Sequence, residues 1–212
     1  MTIDLVIAGV GGQGRECFDI AEAMKKAGDR LKVRGFVDDD PSGANLARLT
    51  SRGVDFLGDF ESLIRRHADA RVCLGIGSGS VRRALDARLR QAGLESHVLV
   101  HPDCTIGSEV VLEPGAVVFA GARLTTNISV GRHVHINQNV TVGHDSTLCD
   151  YVSANPSCAV SGNVVLGEAV TVGAGAVVLQ GLHVGANSTV GASACVIYDV
   201  DRDVTVKGVP AR

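Results

Sequence analysis

Tryptophan is absent from the 212 residues, and aromatic side chains make up only 3% of them. A core without large rings has to be built from small aliphatics. Long runs of like charge are missing too: 20 Lys and Arg are interspersed with 23 Asp and Glu. That leaves no electrostatic footprint for nucleic acid or for an anionic membrane, and small molecules are the expected partners. No segment has the apolar length of a membrane span, and the start Met1-Thr2-Ile3-Asp4 lacks the basic stretch and apolar run of a secretory signal, so a cytoplasmic protein is expected. Cys17, Cys73, Cys104, Cys149, Cys158 and Cys195 show no CxxC spacing, which suits free thiols in a reducing compartment rather than a disulfide framework.

What the chain has instead is glycine, 26 residues of it, and two halves with different rhythms. Residues 1–98 alternate strand and helix signals. Ile3–Ala8 reads as a buried strand, Gly9–Gly14 as a turn, and Arg15–Ala27 as a helix with Phe18, Ile20, Ala21 and Met24 on its apolar face. Val33–Val37 and Val72–Ile76 read as further strands, with a helix from about Val81 to Gln91. Such alternation predicts a parallel sheet with covering helices, a small Rossmann-like domain.

From Val100 the period becomes six. Stepping by six gives Ile106, Leu112, Val118, Leu124, Val130, Ile136, Val142, Leu148, Ala154, Val160, Leu166, Val172, Val178, Val184, Val190 and Val196, with Ala154 the one departure from Ile, Leu or Val. The position four further on is small or apolar, as at Ala116, Val134 and Val164, and Gly often follows the aliphatic, as at Gly107, Gly143 and Gly185. This period fits a triangular coil whose three sides each take one hexad, with the aliphatic pointing inward and glycine expected to form the corners. At a strand spacing of ~4.8 Å, five to six stacked coils would stand roughly 25 Å tall. Residues 99–212 are therefore predicted to form a parallel β-helix.

Two motifs can carry chemistry. Gly9-Val10-Gly11-Gly12-Gln13-Gly14 satisfies GxGxxG between a strand and a helix, where backbone amides can hold a phosphate, and Asp38 ends the next strand, within reach of a ribose or base. A mononucleotide or nucleotide-sugar site, an NAD site and a purely structural turn all remain open, although the domain stops short of the second half that NAD requires. His144-Asp145 falls at outward positions of its hexad, where an imidazole beside a carboxylate can act as a general base, or can simply be solvated. His101, His133, His135 and His183 lack the five-residue separation of zinc-binding β-helices of the carbonic anhydrase kind. Surface or subunit-contact roles are expected for them, with no metal. Cys149 has no neighbouring base, and Cys104 and Cys158 take inward positions, so a cysteine acyl-enzyme is disfavoured.

In this order the motifs resemble the NeuD/PglD-like sugar acetyltransferases, over essentially the whole chain. The resemblance is carried by the glycine turn, Phe36-Val37-Asp38-Asp39, Gly75-Ile76-Gly77, His101-Pro102, Ile136-Asn137, Gly143-His144-Asp145, Ser161-Gly162-Asn163-Val164 and Lys207-Gly208-Val209-Pro210-Ala211-Arg212. It implies a left-handed β-helix, acetyl-CoA as acyl donor, a homotrimer with active sites between subunits, and a nucleotide-linked amino sugar as acceptor. It also implies His144 as base with Asp145 beside it. Gly9, Gly11, Gly12, Gln13, Gly14, Asp38 and Asn137 would contact the acceptor, and Ser153, Gly162 and Gln180 the acetyl-CoA. Gln13 and Ser153 stand where relatives often carry His, which bears on the identity of the acceptor. O-acetylation of a sugar hydroxyl and a non-catalytic nucleotide-sugar scaffold are the alternatives.

Overall fold

A computed structural model describes residues 2–212. The chain divides into two compact units, one reaching to Pro102 and the other Asp103–Arg212.

The first unit runs β1 (Ile3–Ala8), α1 (Gly12–Lys26), β2 (Leu31–Val37), α2 (Gly43–Thr50), α3 (Phe60–Arg66), β3 (Arg71–Leu74) and α4 (Gly79–Gln91). The sheet is parallel, in the order β2-β1-β3. One side of its core joins Val6, Val37, Val72 and Leu74 to Phe60, Leu63 and Leu89 from α3 and α4. Three helices begin on side-chain caps: Ser42 accepts from the Asn45 N–H at 3.3 Å, Asp59 from the Ser62 N–H at 2.8 Å, and Ser78 from the Val81 N–H at 3.4 Å. α1 opens three residues before the expected Arg15, because Gly11 is already its N-cap and the rest of the glycine motif is the first helical turn. β3 ends at Leu74 rather than Ile76; the Gly75 N–H makes the last bond of its ladder, to the Ala8 carbonyl at 2.8 Å.

The second unit is a parallel β-solenoid of about six turns. Its strands are two or three residues long and pair with residues eighteen positions on, as in His135 with Ser153, Thr141 with Ala159 and Thr147 with Val165. These three pairs define its first, second and third faces. Inward positions follow the hexads: Val118, Ile136, Ala154, Val172 and Val190 line the inside of the first face, all at 0% exposure. The final turn is two residues shorter, for Val190 pairs with Val206.

The corners differ from the expectation. Every sixth residue from Glu109 to Ser193 has positive φ, and most of these are not glycine: Asn127, Asn139, Asp145, Asn163 and Asn187 are among them. Asn and Asp tolerate this left-handed conformation better than other L-residues. The glycine after the aliphatic has a different duty. A Cβ on Gly143 would strike the backbone of Ser161 and Gly162 in the next coil, and one on Gly131 would lie 2.7 Å from the Asp150 nitrogen. Glycine at this position lets coils stack, and the residue two places later turns the chain.

Candidate active site

His144 and Asp145 occupy the corner between the second and third faces. Asp145 is the turning residue, with φ of 61°, and this conformation folds its carboxylate back onto its neighbour: His144 Nδ1 lies 2.6 Å from Asp145 Oδ2. The other carboxylate oxygen accepts from Asn127 Nδ2, one coil below, at 3.2 Å. The His144 contact, and after it the Asn127 amide, hold the Asp145 carboxyl below the usual carboxylate range. An ionised Asp145 favours the tautomer with the proton on Nδ1, which leaves the lone pair on Nε2. Both side chains are open to solvent, 63% and 52% exposed.

Ser146 fixes the inner side of this corner. Its hydroxyl donates to the Ser161 carbonyl at 3.0 Å and accepts from the Val164 N–H at 3.2 Å, in the next coil. Neither Ser146 nor Asn127 was among the expected site residues. The signal for Ser146 was available as a polar residue at an inward hexad position held mostly by Ala or Val.

Eighteen and thirty-six residues on from His144, Gly162 and Gln180 stand at the same corner in the two following coils. The Asn163 N–H donates to the His144 carbonyl at 2.6 Å, and the Gly181 N–H to the Gly162 carbonyl at 3.0 Å. Gly162 has no side chain to separate it from the His144 imidazole that lies against it. Its own N–H finds no backbone acceptor among the described residues. Four of the expected residues, His144, Asp145, Gly162 and Gln180, are thus brought together.

Asn137 and Ser153 are not. Asn137 lies at the corner between the first and second faces, 5% exposed, and donates to the Ala154 carbonyl at 3.0 Å, tying two coils together. Ser153 is 4% exposed on the first face, which lies opposite the His144 corner, and pairs there with His135. His133 and His135 also correct the expectation of surface roles, being buried within this one chain. The His133 ring stacks on Tyr151, centroids 6.2 Å apart, and Phe119 meets His135 edge-on. No group of three or more His, Cys, Asp or Glu side chains that could hold a metal occurs among the described residues.

Two of the solenoid cysteines are held as poor nucleophiles. Cys158 is buried, which pushes its thiol up to about 12. Cys149 lines a groove of about 500 Å³ on the third face, where burial and then the Asp150 and Glu168 carboxylates raise its thiol.

In the first unit the glycine motif separates into two roles. Gly9, Gly14 and Gly75 are packed against one another; a Cβ on Gly9 would lie 2.8 Å from the Gly75 carbonyl, and one on Gly14 would strike the Gly9 carbonyl. Gly11 and Gly12 face open space. Half-buried Gln13 lies in the first turn of α1. Asp38 spends both carboxylate oxygens on the backbone, accepting from the Val10 N–H at 2.8 Å and the Asp40 N–H at 3.0 Å. It therefore fixes the glycine loop to the end of β2. Beside it a cavity of about 350 Å³ opens between Gly9, Asp38, Asp40, Phe60, Ile76 and Val81. Arg82, 0% exposed on α4, braces the far wall by donating to the Ile76 and Gly77 carbonyls at 2.9 and 2.8 Å. Burial pushes this guanidinium down to about 10. Crevices outside the carboxyl ends of parallel strands are where open α/β sheets bind ligands.

A nucleotide-type α/β unit followed by a hexapeptide solenoid with a solvent-facing His-Asp corner defines an acyltransferase of the hexapeptide-repeat class. Residues 4–89 match the PglD N-terminal domain family. The GDP-perosamine N-acetyltransferase of Escherichia coli O157:H7 is 28% identical over 179 residues, covering 83% of this chain and 78% of that protein. The acetyltransferase domain of PglB from Neisseria gonorrhoeae, solved with acetyl coenzyme A, superposes with a TM-score of 0.90 at 28% identity over 100% of this chain and 99% of that one. PerB from Caulobacter crescentus, solved with CoA and GDP-perosamine, gives 0.86 at 29% identity over 99% and 96%. Across both units the chain is similar to the NeuD/PglD-like sugar acetyltransferases, and its solenoid is a left-handed β-helix of the hexapeptide-repeat type.

Proposed function

We propose that the chain transfers the acetyl group of acetyl-CoA to the amino group of a nucleotide-linked amino sugar, with His144 as general base. The observation that carries this is the His144–Asp145 pair, 2.6 Å apart on an exposed corner, with its second ring nitrogen over the bare Cα of Gly162. The sugar amine attacks the thioester carbonyl, and Nε2 accepts the proton it sheds. The carbon–sulfur bond then breaks and the proton passes to the departing CoA sulfur, giving an amide and a free thiol. Asp145 keeps the proton on Nδ1 and stabilises the imidazolium while it exists. The Gly162 N–H and Gln180, at the same corner, hold the acetyl-CoA arm, and the glycine loop with its cavity takes the nucleotide.

Transfer to an amine rather than a hydroxyl is supported by relatives that match across both units and act on or bind an amino sugar nucleotide. The non-catalytic scaffold is disfavoured by the intact His-Asp pair. Assembly into a homotrimer, with neighbouring copies completing each site, is supported by Val111 and Val165, which stand 55% and 37% exposed on the third face. Light scattering at micromolar concentration checks this, and a monomer would remove the basis for shared sites.

The deciding experiment incubates the protein with acetyl-CoA and a panel of nucleotide-linked amino sugars and follows thiol release. An N-acetylated product is expected. Products acetylated on a hydroxyl would replace the acceptor reading, and no turnover on any amino or hydroxy sugar nucleotide would reject it.

A further inference from the structure

We propose that Arg15 binds the diphosphate of the nucleotide-linked substrate through the Nε/Nη2 edge of its guanidinium, and so sets which end of the nucleotide enters the cavity beside Asp38. The proposal rests on the nucleotide-sugar reading above and adds to it a binding residue and an orientation.

Arg15 lies in the first turns of α1, and its Nη1 is fully used. One hydrogen goes to the Val10 carbonyl at 2.8 Å and the other to Asn45 Oδ1, on α2, at 2.8 Å. These anchors come from two different segments and fix the plane of the guanidinium. The opposite edge, Nε–H with Nη2–H, donates to nothing among the described residues. That edge is the fork whose two parallel N–H groups match a pair of phosphate oxygens. Because the side chain is already held, little rotamer freedom is lost when an anion arrives.

Charge balance gives the direction. Three consecutive aspartates, Asp38, Asp39 and Asp40, border the cavity and would repel a diphosphate placed there. The nearby acids and the second cation are committed to one another. Arg88 lies 2.7 Å from Glu61, 3.7 Å from Asp39, and 4.4 Å above the Phe60 ring. Among the described residues Arg15 has no carboxylate partner, and it holds the carbonyl of Val10 directly beside Gly11 and Gly12, whose Cα atoms face open space. The polyanion therefore belongs on the Arg15 side, over the two open glycines and the N-terminus of α1. The nucleoside, rich in N–H and O–H donors, belongs between the aspartates and the apolar wall of Phe60, Ile76 and Val81.

Calorimetric titration tests this with GDP, UDP, CDP and dTDP, using the matching nucleosides as phosphate-free controls. For whichever diphosphate the wild type binds, Arg15→Gln is expected to weaken binding by about 10- to 100-fold and to flatten its dependence on salt, while nucleoside binding stays within about twofold. In the steady state, KM for the sugar nucleotide should rise while KM for acetyl-CoA is unchanged. Undiminished diphosphate binding, a proportional loss of nucleoside and diphosphate, or a rise confined to the acetyl-CoA KM would each overturn the proposal. Should Arg15→Gln fail to fold, Arg15→Lys decides in its place, since it keeps the charge and loses the fork. At least a fivefold loss specific to the diphosphate is then expected, and wild-type binding would refute the role. A wild type that binds none of the four diphosphates would bring down the nucleotide-sugar reading itself, whereas normal wild-type binding with an indifferent Arg15 variant would bring down only this inference.

Discussion

Gly162 lies against the imidazole of His144 so closely that a Cβ on it would stand 2.6 Å from Nε2 and 2.8 Å from Cε1. The nitrogen proposed to accept the proton is thus the one a methyl group would cover. Coil stacking does not demand glycine here in the way it does at Gly143, because the obstructing atoms belong to a side chain that can rotate away. Rotation would break the 2.6 Å contact with Asp145.

Gly162→Ala is therefore expected to fold normally, with an unchanged circular dichroism spectrum, and to lose turnover by about 10²-fold through displacement of the base. Full activity in the alanine variant would mean that Nε2 does not point where the chemistry occurs.

His144→Asn keeps a polar side chain but supplies no base, and turnover should fall by about 10²–10⁴-fold while both substrates still bind. Asp145→Asn should do less harm. Asparagine accepts the positive φ at this corner, so the backbone stays as it is, and only orientation and charge stabilisation are lost. Rapid-quench kinetics with equilibrium binding of acetyl-CoA would separate the two effects. A His144→Asn enzyme with near-normal turnover on the true acceptor would reject the mechanism.

Much of this was legible in the sequence, because a hexad repeat states its inward positions directly. Val118, Ile136 and Val142 are where the period puts them, and His144 and Asp145 are at the exposed corner that the pattern implies. The turning residue was not legible. The eye falls on the repeated glycine, yet Gly143 serves contact between coils, a relation spanning eighteen residues, while Asp145 makes the turn. The placement of Ser153 and Asn137 was not legible either, for a related reason. A linear motif does not say which face a residue occupies, and these two fall away from the His144 corner. In the first unit, α2 and α3 carried no expectation, and with α2 came Asn45, which orients Arg15.

Stability should depend on pH through His97. Burial, and after it the Arg71 charge, lowers its ring below the usual histidine range, so the folded state favours the neutral form. Unfolded, an imidazole titrates near about 6.5. The stabilisation is accordingly complete above that value and is lost as pH falls through the lower folded one. Carboxylates held low by their partners, such as Asp59 and Asp145, lose their contribution only in a more acidic window, below about 4. Melting midpoints should therefore drop between pH 7 and 5 in the wild type and drop less in His97→Asn. Parallel curves would assign the acid sensitivity to other groups.

The glycine motif can be divided by substitution, since its members sit in different surroundings. A methyl on Gly14 would strike the Gly9 carbonyl, and one on Gly75 would strike the Gly14 backbone, where no side chain can move aside. Gly14→Ala and Gly75→Ala are expected to destabilise the first unit by several kcal/mol, since overpacking against backbone costs at least about 1–3 kcal/mol. Gly11 and Gly12 have nothing within 4 Å of the position a Cβ would take. Gly12→Ala sits at the first helical residue of α1, where alanine favours the helix, so its melting temperature should match or exceed that of the wild type. The same methyl would stand where a phosphate must approach the backbone, and the KM for the sugar nucleotide should rise by about tenfold or more with the acetyl-CoA KM unchanged. A stable Gly12→Ala protein with an undisturbed acceptor KM would make the loop a structural turn and move the nucleotide site elsewhere.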